Sequence, residues 1–252
     1  MPKQLQRRIA SVVLALTIAC TIGTAALAMG VQPLLVDIEP GRSGSIRVEN
    51  NRTHPLTVEV TLWRRSVSES GEQTRIPADD DFVVLPPQLV IQPGRVQVVR
   101  LQWVGQETPE QSLSYYANLR EVPIALEPTE GAQLQVAFAF DVAVQVSPPG
   151  ARADLSLVDA QVATGREGSR VARLLIENRG TRYAYLQNAR YELEVLDASG
   201  SVIERPSFTH DQLTEILGVT LLEPGKRRIA DLPLSAASNA ASIRGRIRAG
   251  DS

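Results

Sequence analysis

The side chains that most often carry out catalysis are scarce in this sequence. It contains one cysteine, Cys20, and two histidines, His54 and His210, which stand far apart and in no ligand or nucleophile pattern. Counting alone excludes a cysteine-rich zinc site and a disulfide framework. The serines within residues 41–45 do not have the spacing of a nucleophile elbow. We therefore expect a protein that is not an enzyme and needs no cofactor.

Three consecutive aspartates, Asp79, Asp80 and Asp81, could offer carboxylate oxygens to a cation. The same run also suits a solvated loop between two strands, and this is the interpretation we adopt. The sequence thus predicts no metal site.

The composition narrows the class of protein further. The 252 residues carry a formal net charge of -2, and 21% of them are charged. A nucleic-acid-binding chain would show a strong basic excess, so we expect no nucleic acid as a partner. Hydrophobic residues make up 43% of the chain, enough for a packed core, whereas aromatic residues make up only 4%. Aliphatic side chains must therefore build that core.

The sharpest pattern of the sequence lies between residues 134 and 146. Apolar side chains occupy seven alternate positions, which are Leu134, Val136, Phe138, Phe140, Val142, Val144 and Val146. In a strand, all of them would face the same side over about 40 Å. The segment could be a long core strand. It could also lie partly at a sheet edge, where its apolar row fills a gap in another protein's incomplete sheet by β-strand addition.

Alternation of apolar and polar residues dominates the rest of the chain and predicts an all-β fold. The predicted strands lie within residues 45–50, 56–62, 89–91, 96–103 and 115–122. The polar stretch 66–81 is predicted to be a loop, and residues 211–217 a short helix.

Two parts of the sequence resemble each other. Residues 46–53 match residues 174–181, and the turn at 93–95 returns at 224–226 at nearly the same spacing. The run Pro148-Pro149-Gly150 forms a stiff, non-helical join between the two parts. We therefore predict two β-sandwich domains in tandem, which occupy residues 29–149 and 150–252.

Residues 1–28 have the features of a secretory signal, with a basic start, an apolar run over 9–22 and a small-residue cleavage site at 26–28. The apolar run is shorter than the roughly 20 residues that a membrane span needs, so we expect cleavage and no stable membrane insertion afterwards. A lipoprotein signal at Cys20 fits less well, because apolar sequence continues past it.

Four segments share their order and spacing with one protein family. They are VENN at 48–51, PPQLVIQPG at 86–94 followed by VVRL at 98–101, YYANLREVP at 115–123, and the alternating strand 134–146. Together they resemble the periplasmic pilus chaperones of the chaperone–usher pathway (PapD-like), in a divergent or archaic branch. The resemblance covers residues 31–149, and only weak similarity extends to the second domain.

The resemblance implies two immunoglobulin-like sandwiches arranged like a boomerang, located in the periplasm. It implies a chaperone that binds, folds and caps pilus or fimbrial subunits by donor-strand complementation and delivers them to an outer-membrane usher. The donor residues would come from Val136, Phe138, Phe140, Val142 and Val144. The alternative is a plain two-domain adhesive or surface-matrix protein, in which this strand is only part of the core.

The sequence departs from the best-known branch of this family at the site for the subunit's C-terminal carboxylate. That branch uses a lysine of the donor strand and an arginine of the first strand. The lysine position here is Ala143, and Ser147 replaces an arginine that makes an interdomain salt bridge in the family. Arg100 and Arg120 are our substitute anchors, with Tyr116 as a possible donor. Each arginine could instead lie on an ordinary solvated surface.

Overall fold

The computed structural model describes residues 29–105, 109–123, 137–165, 168–235 and 239–250. Within these ranges the chain is almost entirely β-structure, which confirms the predicted all-β fold. The elements are β1 (Met29–Gln32), β2 (Leu35–Ile38), β3 (Ser43–Asn50), β4 (Leu56–Val67), β5 (Gln73–Pro77), β6 (Phe82–Leu85), β7 (Gln88–Ile91), β8 (Val96–Trp103), β9 (Leu113–Glu121), β10 (Ala139–Val146), β11 (Leu155–Thr164), β12 (Arg170–Asn178), β13 (Ala184–Tyr185), β14 (Arg190–Leu196), β15 (Val202–Glu204), α1 (His210–Leu217), β16 (Leu221–Leu222), β17 (Arg227–Pro233) and β18 (Ser242–Arg248). The predicted signal segment 1–28 lies outside the described residues.

The first ten strands form two sheets that face each other. One sheet has the order β1-β3-β8-β6, and the other has the order β2-β10-β9-β4-β5, with β7 also paired to β4. The alternation predicted for β4 is observed, because Leu56, Val58, Val60 and Leu62 are all buried in the space between the sheets. This is the pattern of a strand with one face in a core and the other face turned outward.

The second half of the chain builds its own core. Its sheets have the orders β11-β12-β17 and β15-β14-β18, with a small pair formed by β13 and β16. Buried aliphatic side chains fill the space between them, among them Leu174, Ile176, Val195 and Leu232. Within the described ranges, every strand pairs only with strands of its own half.

A buried asparagine organises the first half at the end of β3. Asn50 is fully buried, and its amide group donates to the carbonyls of His54 and Ile91 at 2.9 and 2.8 Å. Its backbone carbonyl accepts from the N–H of Gly94, which adopts a positive φ in the Pro-Gly turn. The side chain therefore ties one strand end to two separate turns, which is how a buried amide satisfies its hydrogen bonds.

The same arrangement recurs in the second half. Asn178 is also fully buried, and its amide group donates to the carbonyls of Arg182 and Leu222 at 2.7 and 3.2 Å. Its backbone carbonyl accepts from the N–H of Gly225, whose φ is again positive. The internal resemblance found in the sequence thus reflects one corner that is built twice.

Two local predictions have different outcomes. The predicted loop at 66–81 is wrong in part, because β4 continues to Val67 and Gln73–Pro77 forms the edge strand β5. All five side chains of β5 are exposed, so its sequence shows no alternation to detect. The predicted short helix is observed as α1, and Thr209 and Gln212 close its first turn with a capping box.

The described part of the chain holds no helix long and apolar enough to span a bilayer.

Candidate functional site

The strand β10 has neighbours on both sides along only part of its length. It pairs with β9 in antiparallel register from Ala139 to Val146. On its other side the parallel partner β2 covers only Ala143 to Val146. Among the described residues, β10 has no second partner from Ala139 to Val142, so this stretch forms a free sheet edge.

Some backbone groups along this stretch point away from β9. Ala143 and Ser147 donate their N–H groups to the carbonyls of Leu34 and Ile38, both 2.9 Å away, so the odd-numbered residues of β10 face the β2 side. Hydrogen-bonding directions alternate along a strand. The N–H and C=O groups of Ala139 and Asp141 therefore point to the side where β2 has ended.

The apolar row of β10 is divided between two environments. Val142, Val144 and Val146 are completely buried and belong to the core of the first half. Phe140 is half-buried against that core, and the side chain of Phe138 is 37% exposed. Val136 lies outside the described residues. The row therefore begins in the protein's own core and ends beside the free edge as exposed apolar surface.

A charged cluster covers the outward face of the same sheet. Asp141 of β10 accepts from Asn118 of β9 and from Arg75 of β5, both at 2.8 Å. The guanidinium groups of Arg75 and Arg65 stack on the ring of Tyr116, 4.5 and 4.4 Å from its centroid. These contacts place two cations within range of charge–π attraction to the tyrosine ring.

Arg65 is the least expected member of this cluster. It is only 5% exposed, and its Nε atom has no hydrogen-bond partner among the described residues. It lines a cavity of about 290 Å³ between the two halves, where Arg64 and Lys226 add positive charge. The carboxylate at this cavity, Glu223, is already bound by the side chain of Ser66 and the N–H of Val67. The cavity therefore has a surplus of donors suited to an anion.

The structure separates the arginines that the sequence suggested as anchors. Arg100 lies on β8, in the sheet opposite β10, and faces solvent. Arg120 shares the outward face with Tyr116, but it is 61% exposed and pairs with Glu59 at 2.6 Å. Only Tyr116 lies in the cationic cluster. Arg65, which the sequence did not single out, follows the alternation of β4 onto the outward face and lines the cavity together with Glu223 and Lys226 of the second half.

Polar contacts join the two halves near Ser147. This residue is buried and accepts from the Ser112 hydroxyl at 3.2 Å, and the N–H of Ser112 donates to the carbonyl of Thr181 in the second half at 2.8 Å. Asp37 of β2 accepts from Arg182 at 2.5 Å and from the Tyr183 hydroxyl at 2.8 Å. Burial raises the pKa of Tyr183 above its usual range, and the Asp37 carboxylate adds to the shift, so this hydroxyl remains a donor.

The described residues contain no group of three or more histidine, cysteine or acidic side chains that could hold an ion. Asp79 to Asp81 form a short 3-10 turn, in which Asp81 accepts from the buried Tyr115 hydroxyl at 2.8 Å.

Comparisons with known proteins support the same architecture. Residues 31–152 match the family model of the pili and flagellar-assembly chaperones, PapD N-terminal domain. Comparison with curated protein sequences finds no match.

Solved structures extend the likeness to both halves. The complex of Salmonella enterica SafA pilin with the SafB chaperone matches with a TM-score of 0.55 and 17% identity, over 91% of this chain and 95% of the other. The class 5 fimbriae chaperone CfaA matches with a TM-score of 0.53 and 13% identity, over 89% of this chain and 100% of the other. Identities this low show the fold, which is the two-domain chaperone fold. The chain thus resembles the PapD-like pilus-assembly chaperones, since residues 31–152 match the model of their N-terminal domain and solved chaperones of this kind share its two-domain fold.

Proposed function

We propose that the protein is a periplasmic chaperone that binds, folds and caps pilus or fimbrial subunits by donor-strand complementation and passes them to an outer-membrane usher. The observation that carries this proposal is the free edge of β10 at Ala139–Val142, beside the exposed ring of Phe138. Unpaired strand edges next to apolar side chains are aggregation hazards that proteins normally cover. A subunit that lacks a strand would cover this edge and gain backbone hydrogen bonds at the same time.

The structural neighbours make such a partner reasonable. One is a chaperone in complex with SafA pilin, and another is a chaperone–tip adhesin complex of CFA/I fimbriae. A subunit of the same kind is the partner that we propose for this chain.

The proposed donor residues differ in their roles. Phe138 and Phe140, with Val136 beyond the described residues, would enter the subunit's groove. Each side chain would contribute about 1.5–3 kcal/mol if fully buried there. Val142 and Val144 already fill the chaperone's own core, so in this proposal they fix the strand in place and do not enter the groove.

We further propose that Arg65 and Tyr116 receive the subunit's C-terminal carboxylate, in place of the missing lysine at Ala143. The buried guanidinium has an unused Nε donor, and the cavity beside it is rich in positive charge. An arginine can bind a carboxylate with two parallel hydrogen bonds, which is stronger than a neutral contact. The exposed Arg100 and Arg120 offer no comparable enclosure.

We include in this proposal the periplasmic location of the protein and the limits of its two domains. Residues 1–28 would direct the chain to the periplasm and be removed, leaving a subunit-binding domain at 29–149 and a second domain at 150–252. Chaperones of this family are periplasmic.

Co-expression in the periplasm tests the proposed function. The chain would be produced with each small fibre subunit encoded next to it and purified through a tag on the chaperone. We expect a one-to-one complex with one of these subunits, which resists proteolysis only while it is bound. Subunits that fold and resist proteolysis equally well without the chain would contradict the proposal and favour an adhesive or matrix protein.

A further inference from the structure

Phe138, the residue just before β10, is held by a single glutamate of β9. The N–H of Glu121 donates to the carbonyl of Phe138 at 2.9 Å, as in an ordinary antiparallel pair. The N–H of Phe138 donates to the Glu121 side chain, with Oε2 as acceptor at 3.0 Å. Both backbone polar groups of Phe138 are therefore bound by one residue.

Arg52, in the turn after β3, holds that glutamate in place. Its guanidinium binds both carboxylate oxygens of Glu121, with Nη2 to Oε2 at 2.8 Å. The two side chains are only 9% and 11% exposed. Burial raises the pKa of Glu121, but the hydrogen bonds from Arg52 and from the Phe138 N–H outweigh this effect and lower the pKa overall. The carboxylate therefore stays ionised at neutral pH.

The same arginine also contacts the aromatic ring that it helps to position. The guanidinium carbon of Arg52 lies 5.4 Å from the centroid of the Phe138 ring, within the range of a cation–π contact. The backbone N–H of Arg52 donates to the buried Asn50 side chain at 2.9 Å, so the arginine starts from a fixed point. A continuous set of contacts thus joins the Asn50 corner to the ring of Phe138.

The second half of the protein provides an internal comparison for this arginine. In the matching corner, Gly180 occupies the place of Arg52 and donates its N–H to Asn178 at 3.0 Å. The corner therefore forms without an arginine side chain. What Arg52 adds in the first half is its contact with Glu121 and Phe138, not the corner itself.

We propose that Arg52 and Glu121 are positioning residues that hold Phe138 at the free edge of β10 in the register an incoming subunit requires. This inference rests on the proposed strand-donating function. Among the described residues, the start of β10 has a neighbouring strand on one side only, and strand ends held in this way fray readily. Fixing Phe138 before the subunit arrives reduces the ordering cost of binding.

Amide exchange in the isolated protein tests whether the pair holds Phe138. In the Arg52→Ala and Glu121→Gln variants we expect the Phe138 amide to exchange about tenfold faster, measured by NMR. The unfolding temperature should fall by only a few degrees, because the Asn50 corner does not need the arginine. Glu59→Gln is the matched control, since it removes an exposed carboxylate from the neighbouring rung and leaves Phe138 untouched.

Subunit capture, measured with the subunit identified by co-expression, tests whether positioning matters. We expect Arg52→Ala to bind about tenfold more weakly, Arg52→Lys to be intermediate, and Glu59→Gln to equal the wild type. Unchanged amide exchange, or faster exchange with unchanged capture, would overturn the inference while leaving the chaperone function intact. Failure of the wild-type protein to capture any subunit would instead overturn the proposed function, and this inference with it.

Discussion

The Phe138→Asp variant is expected to lose subunit capture while the protein stays folded. The ring is exposed in the free protein, so aspartate there costs little stability. In the complex the same position would be buried in the subunit's groove, where the contribution of the ring is lost and a carboxylate must leave water. We expect affinity to fall at least about a hundredfold, measured by titration of purified variants against refolding subunit.

Val98→Asp provides the matched control for this variant. Val98 is an exposed apolar residue of the first half, but it lies in the sheet opposite β10. The Val98→Asp variant should therefore bind the subunit as tightly as the wild type does. Equal loss of capture in both variants would indicate a general effect of added charge, and unchanged capture by Phe138→Asp would remove Phe138 from the donor residues.

The Arg65→Met variant is expected to weaken capture without loss of stability. The guanidinium is buried with an unused donor, and a buried charge without a full set of partners is costly to the fold. Methionine can occupy the same space against the ring of Tyr116. Loss of charge-assisted hydrogen bonds to the subunit's carboxylate should weaken binding by about 10- to 100-fold. The unfolding temperature should stay the same or rise.

Two further variants separate Arg65 from the other arginines. Arg120→Met and Arg100→Met should leave capture near the wild-type level, because both side chains lie at the solvent-exposed surface. A subunit with an amidated C-terminus should bind the wild type and Arg65→Met equally. If Arg65→Met captures the normal subunit as well as the wild type, the carboxylate is anchored elsewhere.

Much of the fold could be predicted from alternation and turn residues. The buried face of β4 follows from Leu56, Val58, Val60 and Leu62, because a half-buried strand has a period of two. The repeated corner could also be predicted, since an asparagine after an alternating strand and a later Pro-Gly turn occur in both halves. The edge strand β5 could not be predicted, because all of its side chains face solvent.

The donor strand shows where such prediction ends. Periodicity correctly places Phe138, Phe140, Val142 and Val144 on one face, and it says nothing about where the neighbouring strand stops. That limit depends on β2, which is distant in sequence and pairs only from Ala143 onward. Division of the row into core and exposed parts is therefore a property of the tertiary structure.

The carboxylate anchor illustrates a different difficulty. Arg100 and Arg120 stand within segments that resemble the family, which makes them the anchor candidates that the sequence offers. Arg65 lines a cavity built by residues of both halves, so this environment exists only after the two halves pack together. No local signal in the sequence distinguishes it from its exposed neighbour Arg64.

Amide hydrogen exchange at Ala139 and Asp141, with and without bound subunit, tests the central proposal most directly. In the free protein both amides face the open side of β10, so they should exchange quickly. Donation of this edge to a subunit would pair them with a new strand and slow their exchange by at least about tenfold. A stable one-to-one complex in which both amides exchange as fast as in the free protein would contradict strand donation by β10.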